Sequence, residues 1–396
     1  MNYIYISPER PANFYQFSVA LKEHGVNVLG IGDCPYENLD HRLQESLAEY
    51  YYIEDVRDYQ LLSEAVASFK EKYGDIDWIG SDLEDELIKQ AKLRDDFDVK
   101  NGLKSADAEF LSSQVAMKEL YKLADLKVTR YHVIDDYENT HKFIKMVGYP
   151  VVIKPDNRQS KLGITKIESN EELKAYFEHL PEETMIVEEY LDGDLISYDG
   201  IVNRKQEIIL DTIHVYPRKP LDIEDKQMDF FYWSIKKIPE AFKEASRSIL
   251  EVFKISACCF RFEFLILQED KVGLGERGDI IGVAVHLCAF TGFSTDMIRC
   301  ASDNDFYDIY ANMIVNDQPS SPIKPTNYYA VYASRKDQND YLIPFGDIER
   351  LFKVSIMLKG YNNANNKTLG DRYMVARFKN ADDIWTFINA VVETNK

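Results

Sequence analysis

Long apolar runs are missing from this chain. No stretch approaches the roughly 20 consecutive apolar residues that a membrane span requires. The first apolar segment, in MNYIYISPERP, is cut short by Pro8, Glu9 and Arg10, so it does not read as a signal peptide. Cysteine is scarce and unpatterned. Cys34, Cys258, Cys259, Cys288 and Cys300 form an odd set without CxxC spacing. The expectation is a reduced cytoplasmic protein rather than a disulfide scaffold. Excess positive charge is also absent, with 47 Lys+Arg against 67 Asp+Glu and a formal net charge of −20. Nucleic acid and anionic membranes both select a positive face, so neither is expected as a partner. A small anionic ligand is not excluded, because a few local lysines or backbone N–H groups can hold a phosphate.

What remains is ordinary globular material: 45% hydrophobic and 29% charged residues over 396 positions. At roughly 100–200 residues per domain, that length implies two to four domains or subdomains. The first hundred residues alternate strand and helix signals. YIYIS at 3–7, VNVLGIG at 26–32, YYIED at 51–55 and IDWIG at 76–80 read as strands, with helical stripes between and after them. Such alternation predicts a parallel sheet with helices on its faces. No glycine-rich phosphate loop follows the first strand, where the turn reads SPERPANF. A dinucleotide fingerprint is thus absent from its usual place.

Residues 106–124 read as one amphipathic helix, with Phe110, Met117, Leu120 and Ala124 on its apolar stripe. Strands are expected at 149–155, 183–191, 197–202 and 207–216, then a loop or flap over Pro217–Lys237 and a helix over Pro239–Phe253. Two long strands follow, CCFRFEFLIL and DIIGVAVHLCAF. The last seventy residues read as a small α+β unit. Gly273, Gly275 and Gly278 spell GxGxxG, but an apolar β-branched strand follows them instead of a helix. They read as a hairpin connection.

Three segments carry candidate chemistry. Lys154 ends the apolar strand VVI and leads into the polar loop PDNRQSKLG, which suits an anion such as a nucleotide phosphate. IVEEYLDGD places Glu188 and Glu189 after another apolar strand. FRFEFLIL sets Glu263 among large apolar neighbours, where a lone acid is costly unless it meets a cation or hydrogen-bond donors. Taken singly, a strand-end lysine or acid pair is more often a solvated surface feature.

In this order, the segments GYPVVIKPDN, VEEYLDGDLISYDG, FRFEF and GDIIGVAVHL…TGFSTDM resemble the ATP-grasp superfamily, within it the carbamoyl-phosphate-synthase-like group of single-chain carboxylate–amine ligases. The resemblance covers about residues 1–320. It implies an α/β and α+β architecture with a Rossmann-like pre-ATP-grasp domain (1–105), a lid subdomain (106–190) and a larger ATP-grasp subdomain (191–320), after which the α+β unit read from the strand and helix pattern takes 321–396. It implies ATP between two antiparallel sheets, with Lys154, Glu188, Glu189, Tyr190, Leu191, Asp194 and Asp199 as nucleotide-binding residues and Glu263 as a metal ligand. The reaction it implies phosphorylates a carboxylate, after which an amine attacks the acyl phosphate, with Mg²⁺ neutralising the transferred group.

The departures from the family pattern fall on the catalytic positions. A lysine usual three residues before a Met, on the helix ahead of the lid, is Gln114 here. On the last strand, Ala284 stands for the second magnesium carboxylate, His286 for an asparagine and Cys288 for an arginine. Residues two apart share a strand face, so the three changes share one face. His and Cys are softer ligands than Mg²⁺ favours. The cofactors implied are therefore ATP and Mg²⁺, the latter at odds with Ala284. A thiolate–imidazole metal site of His286, Cys288 and the pair Cys258/Cys259, and a catalytic cysteine at Cys288, are alternatives beside the plain reading that His286 and Cys288 fill a buried face. Two functions stay open: an active ligase using a small-molecule carboxylate and amine, or an impaired relative that binds a nucleotide or metabolite as sensor or partner subunit. The resemblance names no catalytic residue with assurance, and homo-oligomer or protein partner is left open.

Overall fold

The computed structural model describes residues 1–11, 13–217, 228–287, 293–362 and 369–395. Chain order begins with β1 (Asn2–Ile6), α1 (Tyr15–Glu23), β2 (Asn27–Gly32), α2 (His41–Ser46), β3 (Glu49–Tyr52), α3 (Tyr59–Tyr73) and β4 (Trp78–Gly80). A 3₁₀ turn at Glu84–Glu86 then leads into α4 (Leu87–Asp96). The four strands form an all-parallel sheet in the order β3-β2-β1-β4. Ile4, Ile6, Leu29, Ile31 and Ile79 pack on Leu62, Val66 and Phe69 of α3. The short strand YIYIS thus lies in a buried parallel sheet, as continuous apolar runs of this length do. The third strand sits at 49–52 rather than 51–55.

α5 (Ser105–Ser112) and α6 (Gln114–Leu123) replace the single helix expected over 106–124. Ser113 divides them. Its backbone is extended, its Oγ accepts the N–H of Ala116 as an N-cap, and it donates to Asp156. Serine offers this local alternative to a continuous ladder. The break turns Phe110 outward, 48% exposed, against the expectation of burial. Met117 and Tyr121 keep the buried stripe on α6.

Next come β5 (Lys127–Val128), β6 (Tyr131–Val133), α7 (Tyr137–Val147), β7 (Val151–Pro155), β8 (Thr165–Ile167), α8 (Asn170–Phe177) and β9 (Met185–Glu189). β6, β9, β7 and β8 make a separate antiparallel sheet, in that order. α7 and α8 cover it through Phe143, Ile144 and Leu173.

β10 (Gly193–Val202), β11 (Ile208–Tyr216), β12 (Phe231–Ser234), α9 (Glu240–Val252), β13 (Cys258–Leu267), β14 (Ile280–His286), α10 (Ser294–Ser302) and α11 (Phe306–Asn316) follow. β15 (Tyr329–Arg335), α12 (Phe345–Leu351), β16 (Ile356–Tyr361), β17 (Arg372–Phe378) and α13 (Asp382–Val392) end the described order. One nine-stranded sheet runs β16-β17-β15-β12-β11-β10-β13-β14-β5. The strands after residue 321 therefore continue the sheet of β10–β14, joined through β12. That strand lies inside the stretch read as a loop from sequence. Its FYWS run is apolar enough to pair with both β11 and β15. Residues 218–227 of the expected flap lie outside the described residues. The glycine run at 273–278 connects β13 to β14, with Gly273 and Gly278 at positive φ, as a turn requires. No helix among the described residues is long and apolar enough to cross a membrane.

Candidate functional site

One face of the nine-stranded sheet carries polar residues in two cross-strand rows. Register sets Asp199 opposite Arg261 and Arg261 opposite His286. It also sets Ser197 opposite Glu263 and Glu263 opposite Ala284. The other face of β13 presents Phe260, Phe262 and Phe264 to a core under α6 and α9. Strict alternation along FRFEF thus holds the polar row up by burying the aromatics beneath it.

Asp199 is fully buried. It accepts from Arg261 Nε at 2.8 Å, from Ser197 Oγ at 2.9 Å and pairs with His214 Nδ1 at 2.7 Å. Burial alone would raise its carboxyl, but Arg261 and His214 outweigh that and hold it at about 2. Asp199 is therefore an ionised anchor inside a polar network. Arg261 and His214 are the residues the sequence reading missed there.

The lid sheet meets α6 at a second cluster. β7 and β9 are antiparallel with Val152 opposite Glu188, which brings Lys154 and Glu188 onto one face as diagonal neighbours. Glu188 Oε1 lies 3.0 Å from Lys154 Nζ and 3.1 Å from Lys118 Nζ. Thr129 Oγ1 donates to Glu188 Oε2 at 3.1 Å. Lys118 is 1% exposed. It comes from α6, which seats against β14 because Gly282 leaves room for the Tyr121 ring and Tyr121 Oη donates to Ala284 O at 2.8 Å. Burial depresses Lys118 more than Glu188 raises it. Burial would raise Glu188, yet the two lysines hold it at about 2. One carboxylate is shared by two ammonium groups, so the cluster keeps an excess positive charge.

Glu189, one residue on, points to the opposite face, as successive strand residues must. There it pairs with Arg130, with Nε and the backbone N–H at 2.9 and 2.8 Å. Tyr190 lies under Lys166, whose Nζ is 4.8 Å from the ring centre. Leu191 packs with Leu265, Leu267 and Ile281 into an apolar patch between the lid strand and the sheet. Asp194 is half-buried opposite Ile266, and burial and Asp192 raise its carboxyl.

At the far end of the polar rows His286 faces three groups. Its Nε2 is 3.7 Å from Glu263, and its Nδ1 is 2.8 Å from Glu84 and 3.0 Å from Arg158 Nη2. Arg158 also pairs with Glu84 and donates to the carbonyl of Val285. Glu84 comes from the turn after β4, and Arg158 from the loop after Lys154. Three units thus converge on one histidine. Burial and Arg158 favour a neutral ring, but the two carboxylates outweigh them and raise its pKa. Burial would raise Glu84, which His286 and Arg158 hold at about 2. Glu263 is lowered likewise, with His286 and Arg261 overcoming its burial.

This arrangement bears on magnesium. Mg²⁺ takes hard oxygen ligands at near-octahedral geometry. Glu263 is the single carboxylate on its row, Ala284 opposite it offers no ligand, and Arg158, Arg261 and His286 already surround the acids. Among the described residues no group of three or more His, Cys, Asp or Glu could hold a metal ion. The residues present do not fit a protein-held magnesium pair. Cys288 lies outside the described residues. Cys258 sits at the start of β13, and burial pushes its thiol up to about 12, which leaves it unreactive.

A family model described as the D-ala D-ala ligase C-terminus matches residues 120–284. The whole fold matches an L-amino acid ligase from Bacillus licheniformis with a TM-score of 0.73 at 11% identity, over 98% of this chain and 96% of the other. The chain has the ATP-grasp fold. An N5-carboxyaminoimidazole synthetase from Staphylococcus aureus shares this ATP-grasp body, with a TM-score of 0.72, 15% identity and 98% and 96% coverage. That protein has also been solved complexed with ADP. In sequence, the ATP-grasp chain is 29% identical over 204 residues to a D-alanine–D-alanine ligase of Clostridium perfringens (strain SM101 / Type A). That match takes in 47% of this chain and 66% of the relative, just under two thirds of its length.

Lys118, Arg158 and Glu84 were not singled out in the sequence. Lys118 had a signal: it lies between Met117 and Tyr121 on the apolar stripe of α6, where a lysine must find a partner. Arg158 and Glu84 had none, since their meeting depends on how three units pack.

Proposed function

We propose that the chain binds ATP between the lid sheet and the nine-stranded sheet, and that its chemistry is of the carboxylate–amine ligase class. The observation that carries this reading is the excess positive charge at Lys118, Lys154 and Glu188. Two buried or nearly buried lysines with one carboxylate leave a place for a phosphate, which makes strong charge-assisted hydrogen bonds. The apolar patch of Leu191, Leu265, Leu267 and Ile281 supplies a surface for the base, beside the backbone of Glu189–Leu191. Glu189 stays with Arg130 and Asp199 with Arg261, so both act by positioning rather than by direct contact. In this class ATP supplies a phosphoryl group to a carboxylate, ADP departs, and an amine then displaces phosphate from the acyl phosphate.

A second reading has its own observation. Arg158 and His286 neutralise the acids where a metal-assisted transfer would need them. This favours a nucleotide-binding chain whose phosphoryl transfer is impaired, acting as sensor or partner subunit. ADP release, measured against a panel of amino acids and other small carboxylates with and without amines, separates the two. Turnover with any pair supports the ligase reading. A blank across the panel, with ATP shown to bind, supports the second.

A further inference from the structure

A cavity of about 280 Å³ lies between β4 of the N-terminal sheet and the start of β13. None of Lys118, Lys154, Glu188, Glu84, Arg158 or His286 lines it. Its volume is near the lower end for small-ligand sites, which run from roughly 300 Å³. The lining is cationic. Five of its residues are Lys or Arg and two are Asp, inside a chain of net charge −20. A recess of one sign in a low-dielectric wall concentrates ligands of the other sign.

The floor holds two buried donors. Arg94 is 6% exposed, and its guanidinium donates to Ile79 O, Leu103 O and Gln90 Oε1, all neutral acceptors. Among the described residues it makes no ion pair, and burial lowers its pKa to about 10. A buried cation without a counter-charge is costly. Trp78 is 4% exposed, and its indole Nε1 has no hydrogen-bond partner among the described residues. A buried donor left unmatched costs roughly 1–3 kcal/mol. The mouth carries Arg204 and Lys254, both exposed at the residue level; Arg204 also lies over the Trp78 ring, 5.7 Å from its centre, and 3.7 Å from Asp317.

We infer that this cavity binds a small polyanion bearing phosphate or carboxylate groups, with Arg94 and the Trp78 indole as floor donors and Arg204 and Lys254 at the entrance. The uncompensated charge and the orphaned donor then have one explanation. The inference is independent of the nucleotide reading, because it uses none of its residues.

Inorganic pyrophosphate and citrate, titrated separately into the full chain, test it and tell phosphate from carboxylate chemistry. Tryptophan emission is the readout, since Trp78 is one of three tryptophans. One or both anions should give a saturable change in wild type and in Lys154→Met, and none in Trp78→Phe. Calorimetry on Arg204→Gln/Lys254→Asn, which keeps both floor donors, should show binding weakened about tenfold or more. Asparagine suits position 254, whose φ is +53°. No saturable change with either anion at millimolar concentration overturns the inference. So does binding that the entrance variant leaves unchanged. Loss of the Trp78 signal in Lys154→Met would also overturn it, by assigning the anion to the nucleotide cluster.

Discussion

Replacing Glu188 with alanine lowers stability by about 3–5 kcal/mol, the usual cost of removing one partner from a buried ion pair. The size follows from what is left behind. Lys118 is 1% exposed and Lys154 has a side chain 12% exposed, and among the described residues Glu188 is the carboxylate that pairs with both. Without it, Lys118 retains the hydroxyl of Thr129 and faces a second ammonium group. Adding Lys118→Met to Glu188→Ala should recover most of the loss, because both charges leave together and an apolar side chain of similar length fills the space. Urea unfolding of the four proteins in the cycle reads this directly. A coupling of about 2 kcal/mol or more is expected. Additive losses would show that the two residues do not depend on each other and would remove the electrostatic account of the cluster.

The second large effect concerns metal. The triple variant Ala284→Glu, His286→Asn, Arg158→Gly should bind nucleotide with a stronger magnesium dependence than the wild type. Glu263 and position 284 face each other across β13 and β14. Cross-strand neighbours lie about 4.5–5.5 Å apart at Cβ, a spacing that lets two carboxylates share one small cation. Ala284→Glu alone should do little, since Arg158 and His286 would still neutralise the pair. In the triple variant ADP should bind about tenfold tighter, or more, with Mg²⁺ than with chelator. Wild type should show a much smaller ratio. An equal ratio in both proteins would mean that these side chains do not govern the cation.

Much of the architecture was legible because it rests on local pattern. The parallel N-terminal sheet follows from short apolar strands alternating with helical stripes. The false GxGxxG was recognisable because β14, not a helix, follows it. Alternation along VAVH was enough to put Ala284 and His286 on one face, while Glu263 was placed with them only by the resemblance, and the register of β13 and β14 sets it opposite Ala284. The split at Ser113 was missed because a capping hydroxyl competes only weakly with a helical stripe until Asp156 is brought to it. β12 was missed because a short aromatic run has no strand period of its own and pairs with β15, about a hundred residues away. The site was less legible than the fold. Lys154 and Glu188 stand where strand ends put them, but their pairing with each other rests on the register of β7 and β9, and their meeting with Lys118 on packing α6 against β14. Glu84 and Arg158 reach His286 from two other units, and no spacing in the chain announces that.

The central claim is that a nucleotide binds at the lysine pair. Isothermal calorimetry of ADP, run in chelator and again in Mg²⁺, with wild type and with Lys154→Met, tests it most directly. The account predicts saturable heat in wild type under both conditions and affinity at least about tenfold weaker in Lys154→Met. Absence of heat in wild type under both conditions, or equal affinity in the two proteins, would contradict it.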